Sequence, residues 1–401
     1  MKKSFSMFLL LILLLCNLCG CNDHLSIPKT VDEYDSQIIG WQMGKCIRQD
    51  QYIFTDWGRG AYYNMATGEY ISNFCEDPEC DGMCWLEMGI TTINQVSDDR
   101  VYFTQLEATT HDLHYCYRDM VSGEIHMIMS LPEQETSVQS AAYIDGDLMY
   151  IPRILLKDGG NPDVLSDYLH YLCSVPVEGG ECKVVYEMRG AAEIIALVVE
   201  GVLYTTFESS LWRTDLATGE QTELFNSVEN GYVAGFGGFQ YLNGYMYFGV
   251  NYAAGGISYA DGTKLTNNKR VILLNTSTGE WRELLDIPVT SYCLTNDAIY
   301  ICPTEPHQLS DPEIYTPTTE GVKYLSASVT LYECKPDGSE LHPIWTDESG
   351  ALDFCETYTV SDGVLYGMLW EFDQKNNRWG DAFFGEIHLD TGEVIPATVI
   401  E

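Results

Sequence analysis

Basic residues are scarce in this chain. Its 401 residues carry 21 Lys and Arg against 59 Asp and Glu, a formal net charge of −38, with an isoelectric point near 4.3. So acidic a surface repels phosphate backbones and anionic lipid, which argues against nucleic acid as a partner. Long apolar runs are also scarce. After Phe5–Leu15 no stretch approaches the roughly 20 residues that a membrane span needs. Helical spacing is missing as well: no segment repeats its apolar residues at i, i+3, i+4 and i+7, so helices should be few. The chain lacks a G-x-S-x-G elbow, an H-E-x-x-H pair, a phosphate loop and a dinucleotide fingerprint. Nothing in it implies a cofactor.

What is present begins at the N-terminus. Met1-Lys2-Lys3 is basic, Phe5 to Leu15 is apolar, and Leu18-Cys19-Gly20-Cys21 follows. The order is that of a signal peptide, and the last four residues resemble the lipobox of bacterial lipoproteins. That resemblance implies cleavage after residue 20 and acylation of Cys21, which would anchor the chain to the outer side of the cell membrane. An ordinary signal peptide or a short uncleaved anchor is the alternative. The expected division is residues 1–20 as signal, 21–39 as tether and 40–401 as a folded, extracytoplasmic domain. Of the 14 cysteines, Cys16 and Cys19 leave with the signal and Cys21 would carry lipid. The remaining number is odd, so complete pairing is impossible. Cys46, Cys116, Cys293, Cys302 and Cys334 sit inside apolar strand-like runs and read as buried free thiols.

The strongest signal is an internal repeat of about fifty residues. An apolar strand with an aromatic recurs as YIFTD (52–56), RVYFTQ (100–105), DLMYIP (147–152), GVLYTTF (201–207), GYMYFGV (244–250), AIYIC (298–302) and GVLYGML (363–369). Each copy is followed by a second element, as in AYYNMATGEY (61–70), LWRTDLATGEQ (211–221) and ILLNTSTGEW (272–281). Period-two alternation and β-branched or aromatic residues make each unit four short strands. Glycine-bearing turns join the first strand to the second and the third to the fourth. Seven such units predict an all-β fold: a β-propeller of seven four-stranded blades, with six or eight as alternative counts. The last residues read as the seventh unit's outer strand, so closure is expected to rest on packing between the first and last blades. The repeat resembles the YWTD-like propellers through Ile53-Phe54-Thr55-Asp56, Val101-Tyr102-Phe103-Thr104 and Leu211-Trp212-Arg213-Thr214-Asp215-Leu216. It resembles more closely a large group of uncharacterised Gram-positive lipoproteins with such propellers.

Hairpin order separates two faces. If the first-to-second and third-to-fourth turns are tight, the second-to-third connections lie on the opposite face, with the passages between blades. There the chain spends its extra residues: Leu155–Tyr168, Tyr252–Lys269, Pro303–Leu325 and Glu371–Ala382. These insertions carry Tyr168, Tyr252, Tyr259, Tyr315, Tyr324 and Trp379, with Trp57 and Trp370 at neighbouring strand ends. Aromatic faces beside Asn, Asp and Lys suit a sugar ring or an extended peptide. The stretch NFCEDPECDGMCWLE (73–87) falls in a blade-to-blade passage on the same face. Its Cys75, Cys80 and Cys84 could close a disulfide, hold a metal with a further ligand, or pack as free thiols. The lipoprotein propellers often carry a similar loop with a histidine, a position held here by Gly82. The expected function is non-catalytic binding of an extracellular glycan, peptide or envelope protein, with the lipid as membrane contact. The alternative is a carbohydrate-active hydrolase or lyase using loop-face carboxylates.

Overall fold

The computed structural model describes residues 39–40, 46–49, 52–55, 62–71, 90–96, 100–107, 109–119, 121–137, 141–161, 164–233, 235–251, 257–258, 264–265, 269–287, 289–303, 330–347, 352–373 and 378–400. They form seven four-stranded antiparallel blades arranged as a ring. Blade 1 is Cys46–Gln49, Tyr52–Thr55, Tyr62–Asn64 and Glu69–Ile71; blade 2 is Ile90–Val96, Arg100–Leu106, Leu113–Asp119 and Ile125–Leu131. Blade 3 is Tyr143–Asp145, Leu148–Leu156, Tyr168–Pro176 and Lys183–Glu187; blade 4 is Ile194–Val199, Val202–Phe207, Ser210–Asp215 and Gln221–Asn226. Blade 5 is Gly237–Leu242, Tyr245–Asn251, Lys269–Asn275 and Trp281–Glu283; blade 6 is Val289–Leu294, Ile299–Pro303, Thr330–Cys334 and His342–Thr346. Blade 7 is Leu352–Ser361, Val364–Asp373, Arg378–His388 and Val394–Pro396. The fold is a seven-bladed β-propeller. Among the described residues helix is confined to two 3₁₀ turns, Glu133–Glu135 and Leu165–Asp167.

The repeat is explained by its turns. In the third-to-fourth turn of blade 4, Asp215 Oδ1 accepts the backbone N–H groups of Ala217 and Thr218 at 2.9 and 2.8 Å. Gly219, at φ 75°, donates its N–H to the Asp215 carbonyl at 2.8 Å. Asn275 in blade 5 and Asp119 in blade 2 repeat the arrangement, with Gly279 and Gly123 at φ 76° and 75°. A short acid or amide can mimic a backbone turn, and glycine enters the left-handed region without a Cβ penalty. On the same face the first-to-second turns Glu200-Gly201, Asn243-Gly244 and Asp362-Gly363 place both residues at positive φ. That is the two-residue turn whose twist matches a hairpin.

The core lies in the seams between blades. Blades 2 and 3 share Tyr115, Leu131, Met149 and Ile151; blades 4 and 5 share Leu211, Phe225, Met246, Phe248 and Ile272. Each fully buried aliphatic or aromatic side chain adds about 1.5–3 kcal/mol. Polar pins cross the seams near the axis. Asn94 Oδ1 accepts the Ala142 N–H at 2.8 Å, the Tyr143 hydroxyl donates to the Ile195 carbonyl at 2.8 Å, and Gln240 Oε1 accepts the Leu294 N–H at 3.1 Å. Cys116, Cys293, Cys302 and Cys334 are buried free thiols; Cys46 lies in the first strand of blade 1.

Closure departs from the expectation. Blades 1 and 7 do pack together, through Tyr63, Tyr366, Met368 and Phe384, with the Tyr63 hydroxyl donating to Glu386. Yet Val394–Pro396 is not the last strand. The chain crosses to blade 1, where Thr398–Ile400 pairs in parallel with Glu69–Ile71 as a fifth, outermost strand. The other end is exchanged too: Ile39–Gly40 pairs antiparallel with Tyr241 and Gln240 on the inner strand of blade 5. Sequence alternation missed both because segments of two and three residues are too short for a period.

Candidate functional site

The face opposite the tight turns is uneven, and the unevenness is set by strand length. In blades 3, 4 and 7 the second strand starts directly after a two-residue turn, so extra residues extend it toward this face. The second strand has six residues in blade 4, nine in blade 3 and ten in blade 7. At about 3.3 Å per residue, the hairpins of blades 3 and 7 rise roughly 10–13 Å above that of blade 4. Blade 4 turns back through Glu208 and Ser209, with Phe207 paired to Ser210. Blade 5 pairs as far as Asn251 with Lys269, and its insertion carries a small ribbon of Ile257–Ser258 and Lys264–Leu265. Blade 4 therefore lies well below the hairpin of blade 3, while its second strand is one residue shorter than that of blade 5.

The blade 3 insertion holds itself together. Leu156 pairs with Tyr168 at the hairpin's end. Beyond it, Lys157 donates Nζ to the Ser166 carbonyl at 2.7 Å, and Asp167 Oδ2 accepts the Asn161 N–H at 2.9 Å. Tyr168 is half-buried at the base of this loop. In the blade 7 insertion, residues 371–373 and 378–382 are strand, which corrects the reading of those positions as loop. Phe372 pairs with Trp379 and Asp373 with Arg378, so Trp370 and Trp379 are strand residues of one projecting hairpin, on opposite sides of it in sequence. Trp57, Tyr252, Tyr259, Tyr315 and Tyr324 lie outside the described residues, as do Cys21, Cys75, Cys80 and Cys84.

Beside the low blade sits a group that the sequence did not single out. Arg189, exposed in the passage from blade 3 to blade 4, stacks its guanidinium 4.1 Å from the ring centre of Trp212 and 5.4 Å from that of Phe207. Its Nη2 donates to Gln221 Oε1 at 3.0 Å, and Gln221 Nε2 donates to the Tyr186 hydroxyl at 3.0 Å. The passage is held by Glu193, which is fully buried. That carboxylate accepts the Arg189 N–H at 2.6 Å, the Thr205 hydroxyl at 2.7 Å and the Tyr186 hydroxyl at 3.0 Å. Burial and the Glu193 carboxylate together push the Tyr186 phenol up to about 12. The result is a rigid cationic and aromatic platform beside the two-residue turn. A guanidinium over an indole face is a cation–π contact of about 0.5–1 kcal/mol where exposed. Only contact across the blade 3–4 seam assembles it; its residues span 186–221 with no motif.

Among the described residues no group of three or more His, Cys, Asp and Glu side chains is placed to hold a metal ion. On the tight-turn face a hollow of about 480 Å³ lies between blades 2 and 3, lined by Arg100, Tyr102, Asp147, Pro176 and Glu178. Its charge is already matched, since Arg100 donates to Glu178 at 2.6 Å.

No protein-family model matches the chain, and no curated protein matches it in sequence. Solved structures do match in shape. One of the structures from a study of two prolyl endopeptidases aligns with a TM-score of 0.53 at 11% identity, over 90% of this chain and 50% of that one. The likeness is one of fold. An oligogalacturonate lyase from Vibrio parahaemolyticus aligns at 0.50 and 12% identity, over 85% and 88%. An acylaminoacyl peptidase aligns at 0.50 and 9%, over 89% and 53%. The chain thus spans about half the length of the two peptidases. Identities this low carry the propeller and no activity.

Proposed function

We propose that the protein is a lipid-anchored binding propeller that holds an extended extracellular ligand, a neutral glycan or a peptide, across its uneven face. The observation that carries this is the low blade 4 beside the taller hairpin of blade 3, with the Arg189–Trp212–Phe207 platform at its edge. Long connections on a rigid scaffold are where binding residues concentrate, and a fixed aromatic platform orders little on binding. The net charge of −38 disfavours polyanions, an oligogalacturonate among them, and favours neutral or basic chains.

The direction of the N-terminal segment supports an anchored arrangement. Ile39 pairs with Tyr241, next to the Asn243-Gly244 turn, and Gly40 with Gln240 further from it. The chain therefore travels from the tight-turn face toward the uneven one. A lipid on Cys21 would hold the tight-turn face to the membrane and turn the binding face outward.

The test is a panel of neutral glycans, peptidoglycan fragments and peptides against the domain beginning at residue 22, following both thermal stabilisation and product release. A ligand should raise Tm in the wild type and fail to do so in Arg189→Ala combined with Trp212→Ala. Release of product, lost on substituting uneven-face carboxylates, would replace this reading with a carbohydrate-active enzyme. For the anchor, radiolabelled palmitate should enter the wild type and not Cys21→Ala.

A further inference from the structure

Blade 3 brings together two thiols whose sequence spacing gives no motif. Cys173, in its third strand, is fully buried; Cys182, just before its fourth strand, is half-buried. Cys173 pairs with Val184 and Ser174 with Lys183, which brings Cys182 diagonally across from Cys173, and Cys182 packs against the cluster that buries it. Arg153, from the second strand, interacts with both sulfurs. Glu135 of the 3₁₀ turn after blade 2 fixes that guanidinium, accepting from Nε at 2.8 Å and from Nη2 at 2.5 Å. Across the seam stands Tyr115 of blade 2, fully buried, its hydroxyl without a hydrogen-bond partner. Cys182, Cys173 and Tyr143 face that phenol electrostatically, but the Tyr143 hydroxyl is committed to the Ile195 carbonyl at 2.8 Å. A buried phenol left without a partner costs about 1–3 kcal/mol. An acceptor formed at the sulfurs would relieve it.

We propose that Cys173 and Cys182 form a two-electron redox pair that reduces a peroxide and closes a reversible disulfide. In the first step the Cys182 sulfur attacks one peroxide oxygen. An S–O bond forms, the O–O bond breaks, and the departing oxygen takes up the proton that the Cys182 thiol released on ionising, leaving as an alcohol or water. In the second step the Cys173 sulfur attacks Cys182: the S–S bond forms, the S–O bond breaks, and the sulfenic oxygen leaves as water with the Cys173 proton. Two thiols and one peroxide give one disulfide, one alcohol or water and one water.

The roles follow from the surroundings. The ionisable groups facing Cys182 are Cys173, Arg153, Glu135 and Tyr115, with the Lys183–Glu181 pair flanking it at 3.6 Å. The neighbouring Cys173 thiol and the Arg153 charge hold the Cys182 thiol below the usual range, while Glu135 opposes them. Cys173 is pushed up by its neighbour Cys182 and by burial. Cys182 is thus the attacking thiolate, reached from solvent, and Cys173 the resolving thiol. Tyr115, whose phenol burial keeps protonated, is placed to donate to the sulfenate oxygen. Cys116 and Cys334 have a different setting, in which burial pushes each thiol up to about 12.

The experiment uses the full chain, reduced, freed of reductant and treated with stoichiometric hydrogen peroxide. Peptide mapping without reductant should recover a Cys173–Cys182 linkage as the main product, reversed by dithiothreitol. In Cys173→Ala the reaction should stop at a Cys182 sulfenic acid that dimedone traps. Iodoacetamide should modify Cys182 with a pH midpoint below the ordinary thiol value of about 8.5. Arg153→Met should slow that reaction on the order of tenfold at neutral pH, with Tm as the control for folding. Peroxide that leaves this pair reduced while oxidising other thiols overturns the proposal. So does a Cys182 midpoint at the ordinary value in the wild type, a measurement that needs no variant to fold.

Discussion

The two faces of the ring are built from the same seven units by opposite rules. On the tight-turn face one short sequence makes one set of bonds again and again: Asp119, Asp215 and Asn275 each cap a turn that ends in a left-handed glycine. On the other face blades 2, 3, 4, 5 and 7 all differ, from the two residues of blade 4 to the extended hairpin of blade 7. The first face is fixed within six residues of sequence, so the register of every hairpin survives whatever the second face carries. Loop closure grows costly only slowly with length, and that lets the second face diverge.

The contrast can be broken from either side. The largest effect is expected where a tight turn also meets a neighbouring blade. Gly338 sits at φ 72°, and a Cβ there would lie 2.5 Å from the Leu284 carbonyl of blade 5. Gly338→Ala should cost about 2–5 kcal/mol, adding left-handed strain to overpacking, read from denaturant unfolding. Gly219 has nearly the same φ, 75°, with nothing within 4 Å. Gly219→Ala should cost about 1–2 kcal/mol. Equal losses at the two glycines would mean that turn strain alone governs this face. Replacing residues 157–167 by Asn-Gly should leave stability within about 1 kcal/mol, because Leu156 and Tyr168 keep their pairing. A large loss would show that the blade 3 insertion supports the scaffold as well. Smallest is Thr218→Ala, which removes the hydroxyl accepting the Glu220 N–H at 3.3 Å. It should change stability by less than about 0.5 kcal/mol, detectable as faster amide exchange at Glu220.

Much of this architecture was legible beforehand for a physical reason. A propeller blade is a chain of neighbouring hairpins, so its pattern and turns are written locally: Asp362-Gly363 announces a two-residue turn wherever it occurs. The candidate site was legible only in outline. The insertions could be seen, but whether 371–382 was loop or strand depended on a partner strand, and Phe372 pairing with Trp379 decided it. Arg189, Phe207 and Trp212 gave no signal, because a cation–π stack has no fixed spacing when its members come from a passage and two strands. The cysteine-rich stretch at 73–87 drew notice by density. Cys173 and Cys182 did not, although the structure brings those two together.

The sequence by itself determined the repeating four-strand unit, the strand order within each blade and the division into a uniform and a varied face. Each rests on alternation and turn chemistry that act over a few residues. Tertiary structure alone decided how the ring closes, with Thr398–Ile400 on blade 1 and Ile39–Gly40 on blade 5. It also decided which side chains meet across the seams. Pairings such as Thr398 with Glu69 join residues 329 positions apart, and no local pattern records a partner so distant.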